Sequence, residues 1–114
     1  MSLAPSEIKK CQAIIFVFDI TSAESYEDVT KWADLAREHC HEGTVFYLCA
    51  NKLDLEALRK VDNQAIKALK TEYKMDGVYS TSAMTGQNVL ELLKSIVNLL
   101  EKRKLTRRLI ETES

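Results

Sequence analysis

Thr44-Val45-Phe46-Tyr47-Leu48-Cys49-Ala50-Asn51-Lys52-Leu53-Asp54 runs from a continuous apolar segment straight into a polar loop. The apolar part is too short for a helix, does not alternate, and carries β-branched and aromatic residues. A strand covered on both faces reads this way, as in a parallel sheet. Residues 12–19, Gln-Ala-Ile-Ile-Phe-Val-Phe-Asp, repeat the pattern, and Gly77-Val78-Tyr79-Ser80 is a shorter third candidate.

Helical spacing fills the gaps. Residues 24–40 place Val29, Trp32, Ala33 and Ala36 on one face, with Trp32 expected to face the core. Residues 62–75 do the same with Ala65, Ile66, Leu69 and Tyr73, behind Asp62 as an N-cap. Residues 87–104 carry the stripe Val89, Leu93, Ile96, Val97 and Leu100, with Asn88 or Thr85 to cap it. The order β-α-β-α-β-α predicts an α/β domain with three strands and three helices. Its parallel sheet is built from right-handed crossovers, in three layers.

Composition sets the frame. The 114 residues suit one domain, 1–114, with a charged tail over about 105–114. In that tail Leu105, Leu109 and Ile110 extend the last helix and Glu-Thr-Glu-Ser frays. A net charge of −1 gives no global electrostatic case for nucleic acid. No apolar run is long enough for a membrane span, and Met1-Ser2-Leu3 does not open a signal peptide. Cys11, Cys40 and Cys49 are an odd number without framework spacing, Cys49 reading as a small buried hydrophobe. A reducing, cytoplasmic compartment is the expectation.

Ligands of parallel α/β sheets bind beyond the carboxyl ends of the strands. The loops to inspect follow Ala50 and Ser80: Asn51-Lys52-Leu53-Asp54 and Thr81-Ser82-Ala83-Met84-Thr85-Gly86. A carboxylate there accepts two hydrogen bonds from guanine, whose ring N1–H and exocyclic amine are neighbouring donors. Adenine offers no such pair. A good bidentate contact of this type is worth about 1–3 kcal/mol of selectivity. A lysine stem lies over a flat ring, and an asparagine amide bridges base and loop.

At these residues the chain resembles the Ras-superfamily GTPases. Asn51-Lys52-Leu53-Asp54 matches their NKxD motif, and Ser80–Gly86 is similar to their ETSAK-TG loop. Ala13–Trp32 resembles the strand and helix after the second switch, nearest the Rab type. The likeness runs from about Cys11 to Arg103 and implies a partial P-loop-NTPase fold binding GTP or GDP.

The resemblance also implies roles. Asp54 takes the two guanine donors, Asn51 supports the base and its loop, and the Lys52 stem packs on the nucleotide. Ser82 braces Asp54, and the Ala83 N–H donates to the guanine carbonyl. Met84 stands where lysine is usual and serves through its backbone or thioether, and Ser80 replaces a glutamate.

The family's phosphate machinery has no counterpart among these residues. None of Gly43, Gly77 and Gly86 precedes a lysine, so Gly-x-x-x-x-Gly-Lys-Ser/Thr is absent. No aspartate has glycine three residues on, and neither the first-switch threonine nor a magnesium ligand is recognisable. Phosphoryl transfer rests on those groups. The expectation is a chain without catalytic residues that does not hydrolyse GTP alone. Two readings compete, a fragment of a longer Rab-like switch (preferred) and a nucleotide-free GTPase-like interaction module. A flavodoxin-like or receiver-type domain fits the alternation but not the two loops.

Remaining features read more plainly. In the family, strand 12–19 pairs with the phosphate-loop strand. Here its bare apolar edge invites a protein partner or self-association through Ile14–Phe18, and the last helix is left with an apolar patch. His39-Cys40-His41 points three ligand types in different directions, so a helix C-terminus is expected rather than a metal site. Asp19 is expected to cap the turn through Thr21 and Ser22. Lys102-Arg103-Lys104 and Arg107-Arg108 read as helix-end charge, and no cysteine near Ser114 offers a lipid anchor.

Overall fold

The computed structural model describes residues 5–113, with side chains for Ser6 and from Ile8 to Arg103. Met1-Ser2-Leu3 and Ser114 lie outside the described residues. The two apolar runs form β1 (Ala13–Asp19) and β2 (Val45–Asn51), and the shorter candidate forms β3 (Gly77–Ser80), all parallel, in the order β1-β2-β3. Between them lie α2 (Ala23–His39) and α3 (Asn63–Glu72), and α4 (Val89–Glu113) follows β3. Asp62 caps α3 through its carboxylate on the Ala65 N–H, as its position predicts.

Two further elements were not expected. The helix α1 (Pro5–Lys10) precedes β1, and a 3₁₀ helix (Leu53–Leu58) follows Lys52. Six residues are too few to show a helical period, and one apolar residue, Ile8, anchors α1 in the core. The helix α4 also runs further than expected. Its backbone is helical to Glu113, and nothing in the sequence after Leu105 breaks a helix.

The layers follow from strand parity. Ile14, Phe16 and Phe18 of β1 point to one face with Phe46, Leu48 and Ala50 of β2. Val29, Ala33 and Ala36 of α2 and Ile66 and Leu69 of α3 cover that face. On the other face Val45, Tyr47 and Cys49 meet Leu92 and Ile96 of α4. Phe16 stacks on Phe46 at 5.9 Å, and Arg37 lies 3.9 Å over the Phe46 ring while binding the carbonyls of Tyr73 and Lys74.

The stripe expected on α4 needs correction. Leu92 and Ile96 are buried, whereas Leu93 and Val97 are half exposed. The helix packs on β2, and Ile15 and Val17 on the same face of β1 stay exposed, so Leu93 and Val97 are not enclosed. Trp32 is likewise 36% exposed rather than enclosed in the core. It lines a groove of about 270 Å³ beside the edge of β1 with Ile14, Phe16 and Val29. Neither expected cap serves α4. Asn88 adopts a left-handed φ of 62° and donates its amide to the Ser80 carbonyl at 2.7 Å, and Thr85 Oγ1 accepts from the Gln87 N–H. No helix among the described residues is long and apolar enough to cross a membrane.

Candidate functional site

The carboxyl ends of β2 and β3 bring the two loops together. Ala50 and Ser80 are register partners, so the residues after them emerge side by side. The Leu53 N–H donates to the Thr81 carbonyl at 2.9 Å, closing one loop on the other. Asn51 Oδ1 accepts from Thr81 Oγ1 at 3.3 Å and from the Ala83 N–H at 3.2 Å. Thr81 is held in turn by Cys49 Sγ at 3.0 Å, and burial raises the Cys49 thiol above its usual range.

Ser82 is fully buried and donates to Asp54 Oδ1 at 2.6 Å. Its oxygen also accepts from the Thr85 N–H at 3.2 Å. Gly86, at φ +82°, allows the tight turn in which its N–H returns to the Ser82 carbonyl at 2.7 Å. Asp54 is therefore fixed at Oδ1, while Oδ2 accepts from none of the described residues. Met84 is 85% exposed at the rim. All six sequence-derived site residues lie at one end of the sheet. The Ala83 N–H, expected to face the guanine carbonyl, donates to Asn51 Oδ1.

Lys52 takes φ 67°, a left-handed conformation that costs a non-glycine residue about 1–2 kcal/mol. Its ammonium lies 2.8 Å from Asp19 Oδ2. Asp19 Oδ1 accepts from the Thr21 N–H at 2.8 Å and from Thr21 Oγ1 at 2.6 Å, the turn expected of it. Lys52 and then Thr21 hold the Asp19 carboxyl down to about 2, and Asp19 raises Lys52 in return. Sequence reasoning missed this pair. A signal was available, because Asp19 and Asn51 end adjacent parallel strands in register. The residue after Asn51 thus falls within reach of the carboxylate.

Chemically, the site offers an oriented carboxylate, a lysine stem and an amide bridge at the mouth of a parallel sheet. It offers no nucleophile–base pair. Among the described residues no group of three or more His, Cys, Asp or Glu is placed to hold a metal ion.

A parallel sheet closed at this end by these two loops is a Ras-like α/β domain. Residues 1–102 match the Ras family, and the chain belongs to it. It is similar to Rab proteins along most of its length. Rab-15 of Rattus norvegicus is 36% identical over 92 residues, 81% of this chain and 43% of Rab-15. Rab-5A of Dictyostelium discoideum is 38% identical over 106 residues, 93% of this chain and 52% of that protein. Rab-44 of Homo sapiens is 35% identical over 100 residues, 86% of this chain but 9% of Rab-44. The chain thus spans about half the length of the first two relatives.

Proposed function

We propose that these residues form the guanine-recognising part of a Rab-like GTP/GDP switch acting in vesicle traffic or signalling at the cytoplasmic side. The observation that carries the reading is the 2.6 Å bond from buried Ser82 to Asp54. It fixes one carboxylate oxygen and aims the group out of the sheet end, as two-point recognition of a base requires. Asn51 supports the loop, the Lys52 stem forms one wall, and Met84 offers a thioether at the rim. The Ala83 N–H joins by exchanging Asn51 for the guanine carbonyl.

A nucleotide's phosphates and magnesium supply most of the affinity and the catalysis in phosphoryl-transfer sites. No Gly-x-x-x-x-Gly-Lys-Ser/Thr occurs here, so we infer that the 114 residues alone do not hydrolyse GTP and hold a base only weakly. The site residues still fit the base itself, through donors and acceptors on two loops joined by hydrogen bonds.

The test is an NMR titration with millimolar GMP and AMP, beside fluorescent GDP with and without magnesium. GMP should shift the amides of Lys52, Asp54 and Ala83, and AMP should not. Asp54→Asn should abolish the preference. Equal response to both nucleotides would remove the loops from base recognition, and micromolar GDP affinity would overturn the inference of weak binding. A second reading, a nucleotide-free interaction module, is favoured by the exposed Ile15 and Val17 on β1.

A further inference from the structure

Lys52 keeps a left-handed backbone in the middle of the first loop, and its surroundings show why. The chain must reverse between Asn51, whose Oδ1 faces Thr81 and Ala83, and Asp54, whose Oδ1 faces Ser82. Contacts on every side fix that reversal. The Asn51 carbonyl accepts from the Ile20 N–H at 3.1 Å, and the Leu53 N–H donates to the Thr81 carbonyl. The Lys52 carbonyl accepts from the Leu55 N–H at 2.8 Å, and the Lys52 ammonium meets Asp19. A strained backbone persists only where its neighbours over-determine it, and such positions cluster at ligand sites.

The corner after β1 supplies much of this restraint. The carbonyl of buried Ile20 accepts from the Lys60 and Val61 N–H groups at 2.7 and 3.1 Å. With its N–H on Asn51, this one residue grips both ends of the 51–61 loop. Asp19 is held as firmly. Thr21 donates twice to its Oδ1, and its own N–H donates to Ser25 Oγ at 2.9 Å. Oδ2 is left to Lys52. A carboxylate fixed in advance loses little side-chain freedom on pairing, the loss that weakens most exposed ion pairs.

Lys52 has a second carboxylate within its influence. Asp54, two residues on, also favours the ammonium through space, though less than Asp19 does. The ion pair is made with Asp19, and Asp54 Oδ2 accepts from none of the described residues. We propose that Asp19 is a positioning residue of the site, which keeps the Lys52 ammonium off Asp54 and so leaves Asp54 Oδ2 open to the donors of a guanine base. An ammonium on that oxygen would neutralise the acceptor and fill the space the base needs. With the ammonium at Asp19, the Lys52 stem instead spans the interval between the ends of β2 and β1, which are register partners. It stands there as a wall beside the base.

The role in recognition rests on the guanine reading of the two loops. The choice that Lys52 makes between two carboxylates does not. Asparagine at position 19 separates the charge from the turn. It keeps an Oδ1 acceptor for Thr21, so the corner and the grip of Ile20 remain. Its amide turns donors towards the ammonium, which also only donates, and Lys52 is released. Asp54 is then the carboxylate that draws it.

The experiment measures GMP and AMP binding by NMR titration for the wild type, Asp19→Asn, Lys52→Met and the double variant. Asp19→Asn should cut the preference for GMP over AMP by about three- to five-fold, the range that an exposed ion pair carries. Lys52→Met keeps an apolar stem without the ammonium, and in that background Asp19→Asn should cause no further loss. A second readout needs no nucleotide. The Asp54 carboxyl carbon should shift on Asp19→Asn as Lys52 arrives, and should not respond to Asp19→Asn in the Lys52→Met background. An undiminished preference in Asp19→Asn would overturn the proposal. So would an equal loss in the Lys52→Met background, which would assign Asp19 to its turn alone. A wild type that treats GMP and AMP alike would defeat the guanine reading instead. The Asp54 carbon then decides the choice of carboxylate, upheld if it shifts and overturned if it stays still.

Discussion

The hydroxyl of Ser82 donates to Asp54 Oδ1 at 2.6 Å, across 28 residues of chain. Ser82 is fully buried, so its oxygen has no water to turn to, and the same atom accepts from the Thr85 N–H. Ser82→Ala removes the donor from a carboxylate and the acceptor from a backbone N–H. Hydrogen bonds to charged groups contribute about 1.5–3 kcal/mol, reduced here because Asp54 faces solvent. Urea denaturation should show a loss of about 1–2 kcal/mol. Met84→Ala at the exposed rim should change stability by under about 0.5 kcal/mol. Equal effects from the two would mean that Ser82 does not organise the loops.

Asp19 gives the fold an acid-side pH dependence. Its carboxyl lies near 2 in the folded chain, against 3.8 as the ordinary value. Between those values the unfolded chain binds the proton and the folded chain does not, so stability rises with pH across this window. The contribution is complete above about pH 4 and is lost as pH falls through 2. The pair is partly exposed, so the effect is small and weakens with salt. Urea midpoints from pH 2 to 5 should rise less steeply for Asp19→Asn than for the wild type. Parallel curves would assign the acid sensitivity to other carboxylates.

Gly77 is needed for space rather than for an unusual φ. A Cβ built there would lie 2.6 Å from Tyr47 Cε1 and 3.0 Å from Cδ1. Tyr47 is 2% exposed and held through its hydroxyl by Ser95, so the ring has nowhere to retreat. Overpacking of this kind costs about 1–3 kcal/mol. Thermal melts of Gly77→Ala should show that loss, and Gly77→Ala with Tyr47→Leu should recover part of it.

Much of this was legible in the residues. Two strands announced themselves as short unbroken apolar runs, Gly77–Ser80 followed as a shorter third candidate, and Asp62 marked the start of α3. The two loops were legible as a pair because they follow strands that had to be neighbours. What escaped depends on pieces too short or contacts too distant for periodicity. The helix α1 buries one large side chain, Ile8, and six residues hold no repeating pattern. Lys52 meets Asp19 only after two strands align. The face of α4 was misjudged for a third reason: helical spacing shows which residues share a stripe, not how wide a floor awaits them.

That last point is measurable. Ile96 and Val97 are consecutive on α4, both apolar, and read alike in the sequence. Ile96 is 7% exposed against Val45, Tyr47 and Cys49, whereas Val97 is 56% exposed. Truncating a buried isoleucine removes transfer energy and leaves a cavity, about 2–5 kcal/mol together. Truncating a half-exposed valine removes little of either. Ile96→Ala should lower the urea stability by about 2–4 kcal/mol and Val97→Ala by under about 0.5 kcal/mol. Near-equal losses would mean that α4 is rotated towards β1 and that Leu93 and Val97 are enclosed as Ile96 is.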